Sequence, residues 1–184
     1  SRCTQLTALP EEIGELTTLK EINLQGCASL SALPDAIGKL KALKVLDLSK
    51  CSSLTALPDS IGDLKALRIL HLTGCVSLTC LPNTMGQLKA LSVLDLAGCA
   101  SLSALPDTFN ELEALQLLSL DECSSVSLSR DALNGLVSLK HLGLCGCVKI
   151  DALDLDGLTN LKVLDATSVN LGLVKKDILA LHKR

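Results

Sequence analysis

Cysteine and histidine are the residues of this chain best suited to nucleophilic catalysis or metal binding. The 184 residues include nine cysteines and three histidines. Seven cysteines recur at intervals of 24 residues, whereas tetrahedral zinc sites gather cysteines about two to four residues apart. Disulfides need paired geometry and an oxidising compartment. The spacing therefore predicts a ladder of reduced, buried thiols, formed by Cys3, Cys27, Cys51, Cys75, Cys99, Cys123 and Cys147.

Two further arrangements look more reactive. Cys145 and Cys147 form the only close pair, and the phase of the repeat predicts that Cys145 is exposed, either open to modification or an incidental surface cysteine. Cys123 follows two acidic residues, but its place in the ladder predicts burial. The histidines, which do not cluster with a nucleophile, are His71, His141 and His182. With no phosphate-binding glycine loop or metal motif, the sequence predicts a non-catalytic protein without cofactor or metal.

The elements that must position these residues are repeats of 24 residues. Each follows the pattern L-x-A-L-P-D-x-I-G-x-L-x-x-L-x-x-L-x-L-x-x-C-x-S. Six blocks and a shortened seventh begin at Leu6, Leu30, Leu54, Leu78, Leu102, Val126 and Ile150. One repeat cannot bury its apolar face alone, but stacked repeats can, so a fixed period of this size predicts a solenoid.

The alternation of leucines within a block predicts a short strand. Leu46 and Leu48 are two residues apart, so both side chains point to the same, inward face. We also expect the small third residue of each block to point inward. The examples are Ala32, Ala56 and Cys80.

Proline and glycine mark the outer turn of the repeats. Proline stands fifth in five blocks, at Pro10, Pro34, Pro58, Pro82 and Pro106. Because proline fixes φ, it starts a short helical or 3-10 turn together with the acid that follows it in most blocks. The glycine after the eighth residue, such as Gly38, is expected to end that turn with φ above zero.

The segment L-x-x-L-x-L-x-x-C, for example Leu43 to Cys51, is similar to the leucine-rich repeat in its cysteine form. The longer motif L-P-x-x-I-G-x-L-x-x-L-x-x-L-x-L-x-x-C-x-S-L resembles the repeat region of plant intracellular nucleotide-binding disease-resistance proteins. The expected fold is α/β: a right-handed curved solenoid with a concave parallel sheet of about seven short strands and short helical or 3-10 turns on the convex side. The resemblance implies a recognition or autoinhibitory domain of an immune receptor.

Residues 1–171 are expected to form the solenoid, with 1–5 as the tail of a preceding repeat and 172–184 as a C-terminal cap. A start inside a repeat suggests a fragment, and we expect it to be monomeric in isolation. The sequence carries no signal peptide and no apolar run of membrane length. Plant extracellular repeats typically carry Ile-Pro and asparagine where these blocks have Leu-Pro and cysteine. These observations favour a cytoplasmic location.

The strand phase decides which residues face the concave side, namely the sixteenth, eighteenth and twentieth of each block. The blocks at Leu30 and Leu54 agree at 15 of 24 positions, and five of the nine differences fall at positions 15, 16, 18, 20 and 21. A constant framework with a variable inner face suits a recognition scaffold. The predicted protein-binding residues are Glu21, Asn23, Gln25, Val45, Asp47, Ser49, Ile69, His71, Thr73, Val93, Asp95, Leu117, Ser119, Asp121, His141 and Asp165.

Each part of this face has two interpretations. Its aliphatic row consists of Val45, Ile69, Val93 and Leu117. This row is either a contact patch for a partner or a set of residues that stabilise strand packing. Its acidic residues are Asp47, Asp95, Asp121 and Asp165. They favour a basic partner, or they form a solvated face that prevents aggregation. His71 is either a pH-sensitive contact or a polar surface residue.

The composition disfavours nucleic-acid binding, because the formal net charge is −3 and Phe109 is the single aromatic residue. Two function classes are left. The first is a module that binds a protein ligand, or another domain of the same receptor, through the concave face. The second is a structural or designed near-consensus scaffold with no native ligand.

Overall fold

The computed structural model describes residues 4–150, 153–167 and 169. Seven three-residue strands form one parallel sheet in the order of the chain. Adjacent strands pair in register, so that Val45 lies beside Ile69 and Ile69 beside Val93. The strands are β1 Glu21–Asn23, β2 Val45–Asp47, β3 Ile69–His71, β4 Val93–Asp95, β5 Leu117–Ser119, β6 His141–Gly143 and β7 Val163–Asp165.

The core is a narrow stack of aliphatic residues on one side of this sheet. The middle residue of each strand from β1 to β6 is buried, as at Leu46 and Leu94, which have no exposed surface. The leucine after each strand from β2 to β6 is buried. The first and third strand residues face the opposite side, as the period of two requires. The predicted solenoid and its seven strands are confirmed.

Five 3-10 helices run along the convex side. They are η1 Glu11–Glu15, η2 Asp35–Lys39, η3 Asp59–Asp63, η4 Asn83–Gln87 and η5 Asp107–Glu111. Each follows directly after a proline in extended conformation, with φ between −73° and −67°, which confirms proline as the start signal. The described part of the chain contains no α-helix.

The sixth repeat departs from this pattern where Arg130 replaces the proline. Residues 130–135 form turns in place of a 3-10 helix. The leucine that fills the core there also comes one position earlier. Leu128 is the third residue of its block, whereas Leu33 is the fourth residue of its block. Their exposed fractions are nearly equal, 5 % and 6 %. The core therefore keeps its leucine although the sequence motif is broken.

The prediction that the small third residue of a block points inward is wrong at all three of its examples. Ala32, Ala56 and Cys80 are all exposed. The leucine that follows each of them fills the core instead. Because side chains alternate along an extended segment, the residue before that leucine points outward.

The role predicted for the glycines of the outer turns is also wrong. Gly38 and Gly62 do not have positive φ. They are required by close packing, since a Cβ atom on Gly62 would lie 2.5 Å from the carbonyl oxygen of Thr84 in the next coil. Positive φ occurs one residue before the cysteine of the ladder, at Gly26, Gly74, Gly98 and Gly146 and also at Lys50 and Glu122.

Candidate protein-binding surface

The pleat of the sheet places the predicted binding residues side by side on its concave face. The aliphatic row comes from the first residue of β2 to β5, and all four of its side chains are half-buried. Glu21 in β1, His141 in β6 and Val163 in β7 continue this row and are exposed. Strand neighbours in a sheet lie about 4.8 Å apart, so the aliphatic row is a continuous apolar stripe.

Most acidic residues of the face have a structural role that the sequence interpretation did not assign. Asp47 Oδ1 accepts a hydrogen bond from the Ser49 amide (2.9 Å), and Asp95 Oδ1 accepts one from the Ala97 amide (3.0 Å). Asn23 Oδ1 does the same in β1 for the Gln25 amide, at 3.0 Å. Each side chain therefore closes a turn at the end of its strand. In the sequence, the signal for these turns was an Asp or Asn that recurs as the last residue of the strand, two residues before the amide that it binds.

Asp165 closes the corresponding turn at the end of β7. Its Oδ1 accepts hydrogen bonds from both the hydroxyl (2.6 Å) and the amide (3.1 Å) of Thr167. These hydrogen bonds, the hydroxyl first, hold the pKa of Asp165 below its usual value. The carboxylate is therefore negatively charged at neutral pH.

One predicted binding residue does not belong to the accessible surface. Ser49 is only 7 % exposed and is the one polar residue of the described chain that counts as buried. Thr73 and Asp121, at the corresponding positions of other repeats, are half-buried, and Gln25 is exposed. The Ser49 amide donates to Asp47 Oδ1 in the closed turn, and its side chain is not accessible to a partner.

The sheet register places His71 directly between Asp47 and Asp95. It is half-buried. The two ion pairs found within the described residues, Lys41–Asp63 and Lys89–Glu111, do not include it. His71 therefore interrupts the row of turn-closing side chains without an ionic contact of its own.

The concave face has a shallow depression of about 180 Å³ over β5, β6 and β7. Gly143 lies at its centre, at the position where β2 and β4 carry aspartate. The residues that line it include Leu117, Ser119, Asp121, His141, Gly143, Val163 and Asp165. Gly143 and Val163 were missed as site residues. The sequence signal for this depression was a glycine at the last position of a strand, where the other strands have larger side chains.

The side chain of Asp121 occupies part of the space that Gly143 leaves. Its Oδ1 accepts a hydrogen bond from the Cys145 amide (2.7 Å), and its Oδ2 accepts one from the Ser119 hydroxyl (2.9 Å). A Cβ atom on residue 143 would lie 2.5 Å from Asp121 Oδ2. The absence of a side chain at residue 143 therefore leaves room for the Asp121 carboxylate to lie over β6. Its two hydrogen bonds hold the carboxylate in that position.

Comparison with known families agrees with this architecture. The family model described as "leucine-rich repeat region" matches residues 41–180, well over half of the chain. The chain belongs to the leucine-rich repeat family. Repeats of this family are generally non-catalytic interaction modules. No curated protein matches the sequence.

Solved leucine-rich repeat structures share the fold. A leucine-rich repeat protein of Leptospira interrogans aligns over 89 % of this chain and 47 % of its own, with 28 % identity and a TM-score of 0.67. The repeat domain of APL1 aligns over 82 % of this chain and 39 % of its own, with 19 % identity and a TM-score of 0.64. The repeat domain of the type III effector XopL aligns over 87 % and 73 %, with 22 % identity and a TM-score of 0.57. This chain thus spans about half the length of the Leptospira protein.

The cysteines of these leucine-rich repeats form the predicted ladder. The described members, from Cys27 to Cys147, are buried, and those from Cys51 onward form no disulfide. From Cys51 onward each thiol donates a hydrogen bond to a backbone carbonyl of the preceding coil, as Cys75 Sγ does to Leu48 O (3.2 Å) and Cys123 Sγ to Leu96 O (3.1 Å). The thiol thus satisfies a buried carbonyl and links adjacent repeats.

Burial suppresses the acidity of these thiols. It raises the pKa of Cys51 and Cys147 to about 11 and that of Cys75 and Cys123 to about 12. The pKa of Cys99 is also raised by burial. Since the thiolate is the reactive form, the ladder thiols are inert at neutral pH. Cys123, despite its acidic neighbours, is therefore structural.

The most accessible described thiol is not the predicted one. Cys145 is half-buried, while Cys80 is exposed. Burial, followed by the carboxylates of Asp165, Glu122 and Asp121, raises the pKa of Cys145. Cys145 is therefore a poorer nucleophile than its predicted surface position implied.

Within residues 4–150, 153–167 and 169, no group of three or more His, Cys, Asp or Glu side chains is arranged to hold a metal ion. The same residues include no helix with the length and apolarity needed to cross a lipid bilayer. Cys3, His182 and the predicted cap at 172–184 lie outside the described residues.

Proposed function

We propose that this leucine-rich repeat chain is the recognition region of an intracellular, plant-type immune receptor. It binds a protein ligand, or an adjacent domain of the same receptor in an autoinhibited state, through its concave face. It acts without catalysis, metal or nucleic acid.

The observation that carries this proposal is the contrast between the two faces of the sheet. The inward residues repeat from coil to coil and are buried, whereas the concave residues change from coil to coil. The aliphatic row from Val45 to Leu117 is half-buried and has no covering element within the described residues. A continuous apolar stripe with polar neighbours is typical of a protein-binding surface.

The receptor role rests on the Leu-Pro, Ile-Gly and Cys-x-Ser motifs. A plant peptide hormone receptor, RGFR1, has been solved in complex with RGF2; it aligns over 88 % of this chain and 34 % of its own, with 22 % identity and a TM-score of 0.51. That likeness supports the fold alone. The ladder thiols from Cys51 to Cys147 form no disulfide, which supports a reducing compartment, because oxidising compartments favour disulfides.

The proposal can be tested with paired charge reversals on the two faces. The concave variant is Asp47→Arg with Asp95→Arg, and the control is Asp35→Arg with Asp59→Arg on the exposed start of η2 and η3. Both variants change the net charge equally. Each chain is immobilised and exposed to leaf extract, and bound proteins are quantified by mass spectrometry.

We expect specific partners to be retained by the parent and the convex control and to be lost by the concave variant. The concave variant gives up two turn-closing hydrogen bonds, a stability cost of roughly 1–3 kcal/mol, so its folding is checked by circular dichroism. If folded concave and convex variants capture the same proteins equally, the proposed binding face is wrong.

A second candidate is a near-consensus scaffold without a native ligand. The agreement of the blocks at Leu30 and Leu54 at 15 of 24 positions favours it. This candidate predicts that no extract protein distinguishes the parent from either variant, and that the parent is monomeric by light scattering.

A further inference from the structure

The depression around Gly143 is a place on the described concave face where one partner side chain has room to enter. Its volume of about 180 Å³ is below the roughly 300–1,000 Å³ of small-molecule pockets. It is therefore sized for a single side chain and not for a cofactor. The depression exists because residue 143 has no side chain, while the corresponding residues of β2 and β4 are aspartates.

The walls of the depression combine apolar and acidic groups. Leu117 and Val163 supply apolar surface, and Val163 is 48 % exposed. The carboxylate of Asp165 belongs to the strand residue paired with Gly143, and that of Asp121 leans toward Gly143 from the opposite side. Two negative charges thus flank an apolar hollow.

These carboxylates accept hydrogen bonds only from uncharged groups. Asp121 is held by the Cys145 amide and the Ser119 hydroxyl, and Asp165 by Thr167. Neither takes part in the ion pairs found within the described residues. The walls are therefore negatively charged and without a cationic partner in this part of the chain.

We propose that this depression receives a lysine or arginine side chain of the protein partner. This inference rests on the proposed function and specifies the chemistry of one contact. Lysine and arginine carry an apolar stem and a cationic head. The stem lies on Leu117 and Val163, and the head approaches Asp121 and Asp165.

Other side chains fit less well for electrostatic reasons. A purely apolar side chain would remove water from two carboxylates without replacing their hydrogen bonds, which is unfavourable. An acidic side chain would be repelled by the same two charges. The combination of apolar walls and paired carboxylates therefore selects a long cationic side chain.

The probe is a library of random short peptides displayed on phage and selected on the parent chain. Selected peptides are synthesised, and each lysine or arginine is replaced in turn by norleucine or citrulline, which keep the approximate shape and remove the charge. We expect the selected peptides to share one cationic residue whose neutralisation weakens binding by roughly tenfold or more.

The matched protein variants remove two charges at different places on the same face. Asp121→Asn with Asp165→Asn neutralises the depression, and Asp47→Asn with Asp95→Asn is the control. Asparagine can keep the turn-closing acceptor, so both variants should fold. We expect the first variant to weaken binding roughly tenfold and the control less than about threefold, measured by isothermal titration calorimetry.

A second pair of variants tests the space itself. Gly143→Leu fills the depression and meets the Asp121 carboxylate. Thr73→Leu adds bulk just after the end of β3, three strands away from β6. The first should abolish binding of the selected peptides and the second should not. Folding of each variant is verified by circular dichroism.

The outcomes separate this inference from the proposed function. If the peptides carry no essential cation, or if the two neutralised variants weaken binding equally, the inference is overturned. If, in addition, extract proteins bind the Asp47→Arg with Asp95→Arg variant as well as the convex control, the concave-face proposal falls with it. Failure to select any peptide likewise counts against the inference.

Discussion

The thiol ladder predicts that the protein loses stability steeply in mild alkali. Four ladder thiols, Cys51, Cys75, Cys123 and Cys147, have pKa values raised to about 11 or 12 from the ordinary 9.0. Their folded pKa lies above the unfolded value. Their contribution to stability is therefore complete below pH 9 and is lost as the pH rises toward the folded pKa, because only the unfolded chain releases the protons.

The size of the effect follows from the proton balance. Between the unfolded and folded pKa values each thiol costs about 1.4 kcal/mol of unfolding free energy per pH unit. Raising the pH from 8 to 10 should therefore remove on the order of 1 kcal/mol per thiol and roughly 5 kcal/mol for the four together, to which Cys99 adds because burial raises its pKa too. That loss is comparable with the whole stability of a typical domain, about 5–15 kcal/mol.

The assay is urea denaturation at several pH values between 7.5 and 10.5, with a phosphine reductant to prevent oxidation. Circular dichroism is the suitable signal because the chain has no Trp or Tyr. The double variant Cys75→Ala with Cys123→Ala should show roughly three fifths of the alkaline loss of the parent, since it keeps Cys51, Cys99 and Cys147 of the five thiols whose pKa burial raises. The exposed control Cys80→Ala should behave like the parent.

Two results would refute this reasoning. One is a denaturation midpoint in the parent that stays constant from pH 8 to pH 10. The other is an alkaline loss in the double variant as large as that in the parent, which would assign the effect to other groups.

Three further predictions concern packing and exposure. Gly62→Ala should lower the unfolding free energy by roughly 1–3 kcal/mol in urea titrations, because its Cβ would meet the Thr84 carbonyl oxygen at 2.5 Å; increased stability would contradict the requirement for close packing at this position. Leu94→Ala, at a fully buried site, should cost roughly 2–5 kcal/mol by the same measurement, and a cost below about 1 kcal/mol would contradict the stacked core. Among the described cysteines, a maleimide reagent should label Cys80 first in the native protein, and peptide mass mapping that finds Cys99 labelled earlier would contradict the burial of the ladder.

The period of 24 residues was enough to predict the solenoid, the strand positions and the ladder of thiols. These features depend on identical residues meeting in successive coils, and identity at a fixed spacing is visible in the sequence. The direction of Ala32 or Cys80 was not visible in the same way. Small residues fit either side of an extended segment, and the burial of the leucine next to each of them decided the matter.

The function of the glycines illustrates the same difference. A glycine such as Gly62 can indicate positive φ or a close approach, and both occur in this chain at different positions of the repeat. Stacking brings the Thr84 carbonyl against Gly62. This contact joins two coils, so the sequence of one repeat does not reveal it. Likewise, Lys50 and Glu122 occupy the left-handed position without being glycine, so composition alone pointed to the wrong place.

Some features of the binding surface were predictable from the sequence, and others were not. Strand phase alone assigned Val45, Asp47 and their counterparts to the concave face, because side chains alternate along any strand. The burial of Ser49, the turn closed by Asp47 and the hollow over Gly143 depend on neighbours in the adjacent coils.

The residue order already shows that leucines recur in register, and it therefore predicts a chain stacked into repeats with a buried apolar side and an open side. The distance between adjacent coils, and the hydrogen bonds that open-side groups already make, are visible only in the folded chain. Periodicity specifies which residues are neighbours, whereas contact distances arise when the backbones of successive repeats pack together.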